Sequence, residues 1–213
     1  MKKNLIAVKY SELMKLYGPQ GWWPVKGRYH PGEYGWPKTG NQVFEICVGA
    51  ILTQNTAWVS VEKALANLRS RKTMSAQKIH KALPDDLKEA IRPAGYYNQK
   101  SIYLKSFAAF FMEQKGRIPS REALLDVKGL GEETADSILL YAWKQPYFVV
   151  DTYTRRIFSS LGLVEPKEQY SEIQQKFHKA LKPLYRNRNL VHIYQEYHAL
   201  LVQHAKLNFS KKR

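Results

Sequence analysis

The sequence is poor in cysteine, in acidic side chains and in long apolar runs, and each shortage excludes something. Its one cysteine, Cys47, lies in the apolar stretch VFEICVGAIL. A lone thiol closes no intramolecular disulfide and cannot supply the four-cysteine set of a zinc or iron–sulfur site, so Cys47 reads as a small buried hydrophobe in a reducing compartment. No run is long enough to cross a bilayer. The apolar part of MKKNLIAVKYSEL is interrupted by Lys9 and too short for a signal peptide, so a cytoplasmic location is expected. Against 34 Lys and Arg stand 18 Asp and Glu, a formal charge of +16 over 213 residues. A folded chain so basic suits a polyanionic partner, nucleic acid foremost; the plainer alternative is a solvated basic surface.

Strand-length alternation is scarce, internal repeats and low-complexity tracts are absent, and apolar residues recur at a three-to-four spacing, so the expected class is all-α. Helices are predicted at 9–17, 44–52, 59–70, 75–83, 85–91, 99–114, 120–127, 132–143, 151–161, 171–180 and 190–206. Proline and glycine cluster in GPQGWWPVKGRYHPGEYGWPKTG, residues 18–40, which predicts an irregular segment with several turns. Further breaks fall at KQPYF and VEPKEQ, and the basic SKKR end is expected to fray.

The most informative stretch is VKGLGEETADSILLYAWKQPYFVVDTYTRR, residues 127–156. Two helices are joined there by a tight turn, Lys128–Gly131. Its glycines, Gly129 and Gly131, permit positive φ and a close backbone approach to phosphate, which the start of the next helix favours further. A dinucleotide-binding loop is set aside, because its third glycine would fall on Thr134 and no strand precedes the turn. An ordinary helix–turn–helix connection remains as an alternative. Asp151 can equally be a helix N-cap, a role compatible with chemistry because a capping residue is rigidly aimed.

Taken together, the hairpin and the Val150–Asp151–Thr152 tripeptide resemble the helix-hairpin-helix (HhH-GPD) DNA glycosylase superfamily that includes endonuclease III. VGAILTQNTAWVSVEKALANL, IRPAGYYNQKSIYL and EYHALLVQHAKLNF are similar to further family segments, so the resemblance covers roughly residues 41–206. It implies two helical lobes with a DNA cleft between them: residues 1–40 and 149–213 in one, and a barrel lobe of residues 41–148 carrying the hairpin at about 120–143. It makes Asp151 the catalytic carboxylate. Gln54 and Asn55 would fill the gap left by a flipped nucleotide, and Lys128, Gly129, Gly131, Thr134, Arg155 and Arg156 would hold double-stranded DNA. The implied partner is a duplex with a base lesion, bound by a monomer associated with the nucleoid.

Two departures narrow the implied chemistry. Strand-cutting members carry a lysine two residues after the second hairpin glycine, where this chain has Glu133; a carboxylate forms no Schiff base, so water must be the nucleophile. Relatives with an iron–sulfur cluster have a cysteine where this chain has Phe209, so no cluster is expected; the one ion the resemblance allows is a structural monovalent cation at the hairpin. GWWP at 21–24, Trp58 after LTQNTA, and ETAD at 133–136 resemble the 3-methyladenine DNA glycosylase III branch. That likeness implies an aromatic base pocket of Trp22, Trp23, Pro24 and Trp58 with Lys206 at its edge. The loop between GWWP and the first barrel helix is longer here, with Tyr29, Tyr34 and Trp36 added. Trp36 and Trp143 read as structural, and His198 and His204 as satisfied histidines rather than metal ligands.

The implied activity is that of a monofunctional base-excision-repair glycosylase acting by base flipping on an alkylated purine and leaving an abasic site. A uracil or mismatched-thymine glycosylase, a noncatalytic helix-hairpin-helix DNA-binding module, and a strand-cutting lyase are the alternatives. The module has no need of a lone aspartate in VVDT, and Glu133 disfavours the lyase.

Overall fold

The computed structural model describes residues 4–184 and 188–209, so the SKKR end lies outside the described residues. The described residues form an all-α chain. In order the helices are α1 Leu5–Tyr17, α2 Gly40–Leu52, α3 Trp58–Ser70, α4 Ala76–Lys81, α5 Pro84–Ile91, α6 Tyr97–Gln114, α7 Arg121–Leu125, α8 Glu132–Ser137, α9 Thr152–Ser160, α10 Tyr170–Leu181 and α11 Arg188–Phe209. Every segment predicted helical overlaps one of them. The first begins at Leu5 rather than Lys9 because the Asn4 side chain accepts from the Ala7 N–H and caps it. The hairpin's second helix, predicted as one piece to Trp143, widens after Ser137 into a π-helical turn over Ile138–Ala142 whose five residues are all buried.

Two compact units result. A terminal unit takes the described residues up to Trp22, then Tyr29–Tyr34, and those from Lys144 onward; a hairpin unit takes Trp23–Arg28 and Gly35–Trp143. The proline- and glycine-rich segment thus divides between the two.

In the hairpin unit α2 is the central element, buried from Phe44 to Leu52. Its start is fixed by a reciprocal cap between Thr39 and Gln42. Gly49 leaves room for the Trp23 indole, since a Cβ there would stand 2.9 Å from Trp23 Nε1. Two buried charges organise what surrounds this helix. Glu45 accepts from Arg69 at 2.7 Å and from the Lys26 backbone N–H at 2.9 Å. Lys100, on α6, is 2% exposed and donates to Leu52 O at 2.7 Å, Thr56 Oγ1 at 2.6 Å and Ala94 O at 3.0 Å. Burial pulls its pKa down to about 8, yet three acceptors use all three ammonium hydrogens. The loop after α2 is therefore closed around a lysine.

In the terminal unit α1, α9 and α10 pack with α11, and Phe148, Phe158, Phe177 and Tyr197 form an aromatic core, with Phe148 stacked on Phe177 at 4.1 Å between centroids. Phe148–Val150 leads into α9 without regular secondary structure. Its backbone groups are met by side chains from one face of α10, at positions i, i+4 and i+8. Phe148 N–H donates to His178 Nε2 at 3.2 Å, Gln174 donates to Phe148 O at 2.8 Å, and Val150 N–H donates to the Tyr170 hydroxyl oxygen at 3.3 Å. A stripe of side chains thus satisfies backbone groups that lie outside any helix.

His178 must be neutral at Nε2 to accept that bond, and burial followed by the nearby Lys182 charge depresses its pKa to about 4. The unfolded chain therefore binds this proton more readily than the folded one between about 4 and 6.5, and the stability His178 contributes above 6.5 is lost as pH falls toward 4. Thermal denaturation of His178→Gln, which keeps an acceptor but does not titrate, is expected to show a shallower loss of Tm over that window; the same slope as the parent chain would contradict the assignment.

Candidate functional site

Asp151 is buried at the start of α9 in the terminal unit. Its Oδ1 accepts both the Thr154 N–H and the Thr154 hydroxyl, each at 2.7 Å. Its Oδ2 lies 3.5 Å from His198 Nε2 on α11. Burial pushes the Asp151 pKa up, but the hydrogen bond and charge of His198, with the two Thr154 bonds, outweigh it and hold the carboxyl below its usual range. The capping reading and the aimed carboxylate coincide in one residue. His198 reads from sequence as a satisfied histidine; it is 47 positions from Asp151 along the chain, and no local pattern links the two. His204 bonds the Tyr17 hydroxyl at 3.0 Å, as a satisfied histidine should.

On the same unit Arg155 donates to Glu168 O at 2.8 Å, whereas Arg156 is exposed. Trp22 is half-buried, with its ring edge-to-face with Tyr29 at 5.7 Å and the Lys206 ammonium 5.9 Å from its centroid. The chain reaches Trp22 through Gly21, at φ +70°, where a Cβ would strike the backbone of His30 and Pro31. Buried Glu196 on α11 accepts the Gln20 N–H at 2.7 Å, and also bonds the Gly21 N–H and the Tyr34 hydroxyl. Burial leaves the Glu196 pKa raised in spite of these donors. Tyr34 stacks on His192 at 4.2 Å, so the added aromatic loop is bound to α11 from two sides.

In the hairpin unit, Gly129 has φ +89° and packs on Tyr103 of α6, whose ring would lie 2.3 Å from a Cβ. Gly131 differs from the sequence expectation of positive φ: its backbone is extended, at φ −95° and ψ 178°, with open space where a side chain would be. Neither backbone freedom nor crowding within the protein requires glycine at this position. Lys128 and Glu133 are exposed. Asp136, the last residue of ETAD, is fully buried and takes a two-pronged ion pair from Arg121, at 2.7 and 3.2 Å, that ties α7 to α8.

Gln54 and Thr134 occupy positions expected at DNA, and the structure joins them to each other. Gln54 Nε2 donates to Gly129 O at 2.9 Å and to Thr134 Oγ1 at 3.1 Å, and Thr134 is buried. Asn55, with φ +50°, is exposed at the tip of the loop that Lys100 closes. Trp23 is buried against Trp58 at 5.3 Å and Tyr141 at 5.2 Å, both edge-to-face; Pro24 is buried and Trp58 half-exposed. Trp143 packs near Phe111, and Trp36 carries the Lys38 ammonium at 4.4 Å from its centroid.

Among the described residues no group of three or more His, Cys, Asp or Glu could hold a metal. Cys47 is buried with its thiol pKa raised well above normal by burial, which disfavours a thiolate ligand. At the hairpin, where the resemblance allows a monovalent cation, Val127 O accepts the Leu130 N–H and Gly129 O accepts the Gln54 side-chain amide. Among the described residues no helix is long and apolar enough to cross a membrane.

Comparison with known proteins agrees with this geometry. The family model for the HhH-GPD superfamily base excision DNA repair protein matches residues 48–183. The provisionally named DNA repair glycosylase MJ1434 of Methanocaldococcus jannaschii is 41% identical, over the whole of this chain and 93% of its own. Endonuclease III of Thermotoga maritima is 33% identical over 58% of this chain and 59% of its own length. Among solved structures, the Helicobacter pylori 3-methyladenine DNA glycosylase MagIII, bound to 1,N6-ethenoadenine, superposes with a TM-score of 0.76 at 31% identity over 97% of both chains. An endonuclease III–DNA complex superposes at 0.74 and 17% identity, over 100% of this chain and 90% of that one, which is a likeness of fold. A buried, ionised aspartate capping the helix after a glycine hairpin is thus met in a chain that belongs to the HhH-GPD superfamily and is a DNA glycosylase of base excision repair.

Proposed function

We propose that this glycosylase is monofunctional: it hydrolyses the N-glycosidic bond of a flipped, alkylated purine such as 3-methyladenine and leaves an abasic site in an unbroken strand. The observation that carries the reading is the Asp151 carboxylate, buried yet held ionised by Thr154 and His198. The 31% likeness to a 3-methyladenine glycosylase over nearly the full chain supports the substrate class.

N3- or N7-alkylation gives the purine a positive charge, so the base leaves as a neutral molecule and needs no general acid. The C1′–N bond breaks with its electron pair going to the base, which cancels that charge. Ionised Asp151 stabilises the oxocarbenium-like sugar, and water adds at C1′ and gives its proton to the carboxylate. Lyase chemistry requires an amine on the sugar, and the position after the hairpin that would supply it is the carboxylate Glu133.

DNA is gripped without regard to sequence by exposed Lys128 and Arg156 and by the open backbone at Gly131. Asn55 is the exposed tip that fills the vacated stack, while Gln54, Thr134 and Gly129 lock its loop to the hairpin. Arg155, engaged at Glu168 O, serves the α9 side of the site. In the terminal unit Trp22 with Lys206, and in the hairpin unit Trp58 supported by Trp23 and Pro24, each offer an aromatic surface suited to a cationic base, at about 0.5–2 kcal/mol per cation–π contact. The protein works as a cytoplasmic monomer without an iron–sulfur cluster.

Asp151→Asn is expected to slow single-turnover excision of 3-methyladenine from a duplex by about 10²–10⁴-fold while leaving duplex affinity little changed. Excision at the parent rate would refute the catalytic role. Trp58→Ala is expected to cost about tenfold or more in lesion excision, the worth of one lost base stack, with a smaller loss in binding undamaged duplex. Equal losses in the two assays would remove Trp58 from the base pocket.

A further inference from the structure

The two oxygens of Asp151 are not equivalent. Oδ1 is fully used inside α9, where it takes the Thr154 N–H and hydroxyl at 2.7 Å each, the bonds that make Asp151 a helix cap. Chemistry at this carboxylate therefore falls to Oδ2. Among the described residues the titratable side chain paired with that oxygen is His198, whose Nε2 stands 3.5 Å away on α11. Both side chains are largely withdrawn from solvent, 11% exposed for His198 and 10% for Asp151. The distance lies at the long edge of hydrogen bonding, as is common for catalytic contacts before substrate tightens them.

We propose that His198 is the positioning residue of the catalytic carboxylate: through Nε2–H it aims Oδ2 at the reacting sugar and water, and keeps that oxygen ionised in a buried setting. The proposal rests on the reading of Asp151 as the catalytic group and adds to it the partner that makes a single carboxylate sufficient. A donor held on Oδ2 favours the charged form, so the Asp151 carboxyl lies below its usual range where burial alone would push it up. Arg155 of α9 donates to Glu168 O, Arg156 is exposed, and the Tyr170 hydroxyl of α10 meets the Val150 N–H. Thr154 is fixed by its own bonds to Oδ1. His198 is thus the group whose removal changes the field at Oδ2.

The test is the pH dependence of single-turnover excision from a 3-methyladenine duplex, measured for the parent chain, His198→Leu, His198→Asn and Asp151→Asn. His198→Leu is expected to move the midpoint of the acid limb upward by about one pH unit or more and to lower the plateau rate. His198→Asn, which retains an N–H donor on a shorter side chain, is expected to return the limb part of the way. Undamaged-duplex affinity should be the same in all four. If His198→Leu does not fold, His198→Phe fills the ring's volume without the donor and replaces it. An unchanged acid limb in the donor-free variant, with Asp151→Asn inactive, would overturn the role of His198 while leaving Asp151 in place. Full activity of Asp151→Asn would overturn the underlying reading instead.

Discussion

A carboxylate removed from water must be given donors or it takes up a proton, and the terminal unit is arranged around that constraint at Asp151. Thr154 answers it from one side by the same two bonds that start α9, so a helix cap and an ionised group are a single feature. His198 answers it from α11. The backbone leading to the aspartate is held in turn by Tyr170, Gln174 and His178 on one face of α10, beneath which Phe148 stacks on Phe177. Three helices therefore converge on the position of one side chain. This suits hydrolysis of a bond whose leaving group is already charged, where one well-placed carboxylate is enough.

The hairpin unit applies the same physics to a loop. Lys100 fills its three donor positions with Leu52 O, Thr56 Oγ1 and Ala94 O, which fixes the path of the chain just after α2. Gln54 then links that loop to Gly129 and Thr134 of the hairpin. The exposed Asn55 and the open Gly131 are thus carried on one rigid assembly. Buried polar groups, each with its partners, provide the stiffness that short loops do not provide alone.

Much of this was legible in the sequence. The three-to-four spacing of apolar residues pointed to the helices, and the resemblance of the glycine turn and VVDT to a known family singled out Asp151, because both are local patterns. Relations that cross the chain were not legible. Nothing in EYHALLVQHAKLNF marks His198 as the neighbour of an aspartate 47 positions earlier, since only the packing of α9 on α11 brings them together. No local pattern marks Lys100, since its burial depends on three carbonyl and hydroxyl oxygens from separate segments. Gly131 was read by analogy with Gly129, but their backbones differ, and Gly129 alone is held at positive φ against Tyr103. The π-helical turn at Ile138–Ala142 left no trace in the apolar pattern, because a segment buried on all sides shows no polar face to set its period.

The central claim is hydrolysis by water at a carboxylate-assisted site, with no amine attacking the sugar. The measurement that tests it most directly uses a labelled duplex bearing one 3-methyladenine, incubated with the protein and divided into alkali-treated and untreated halves, beside matched uracil and undamaged duplexes. The account predicts strand breakage of the alkylated duplex after alkali alone. Breakage in the untreated half, or trapping of a protein–DNA adduct by borohydride, would contradict it and place a lysine at the sugar.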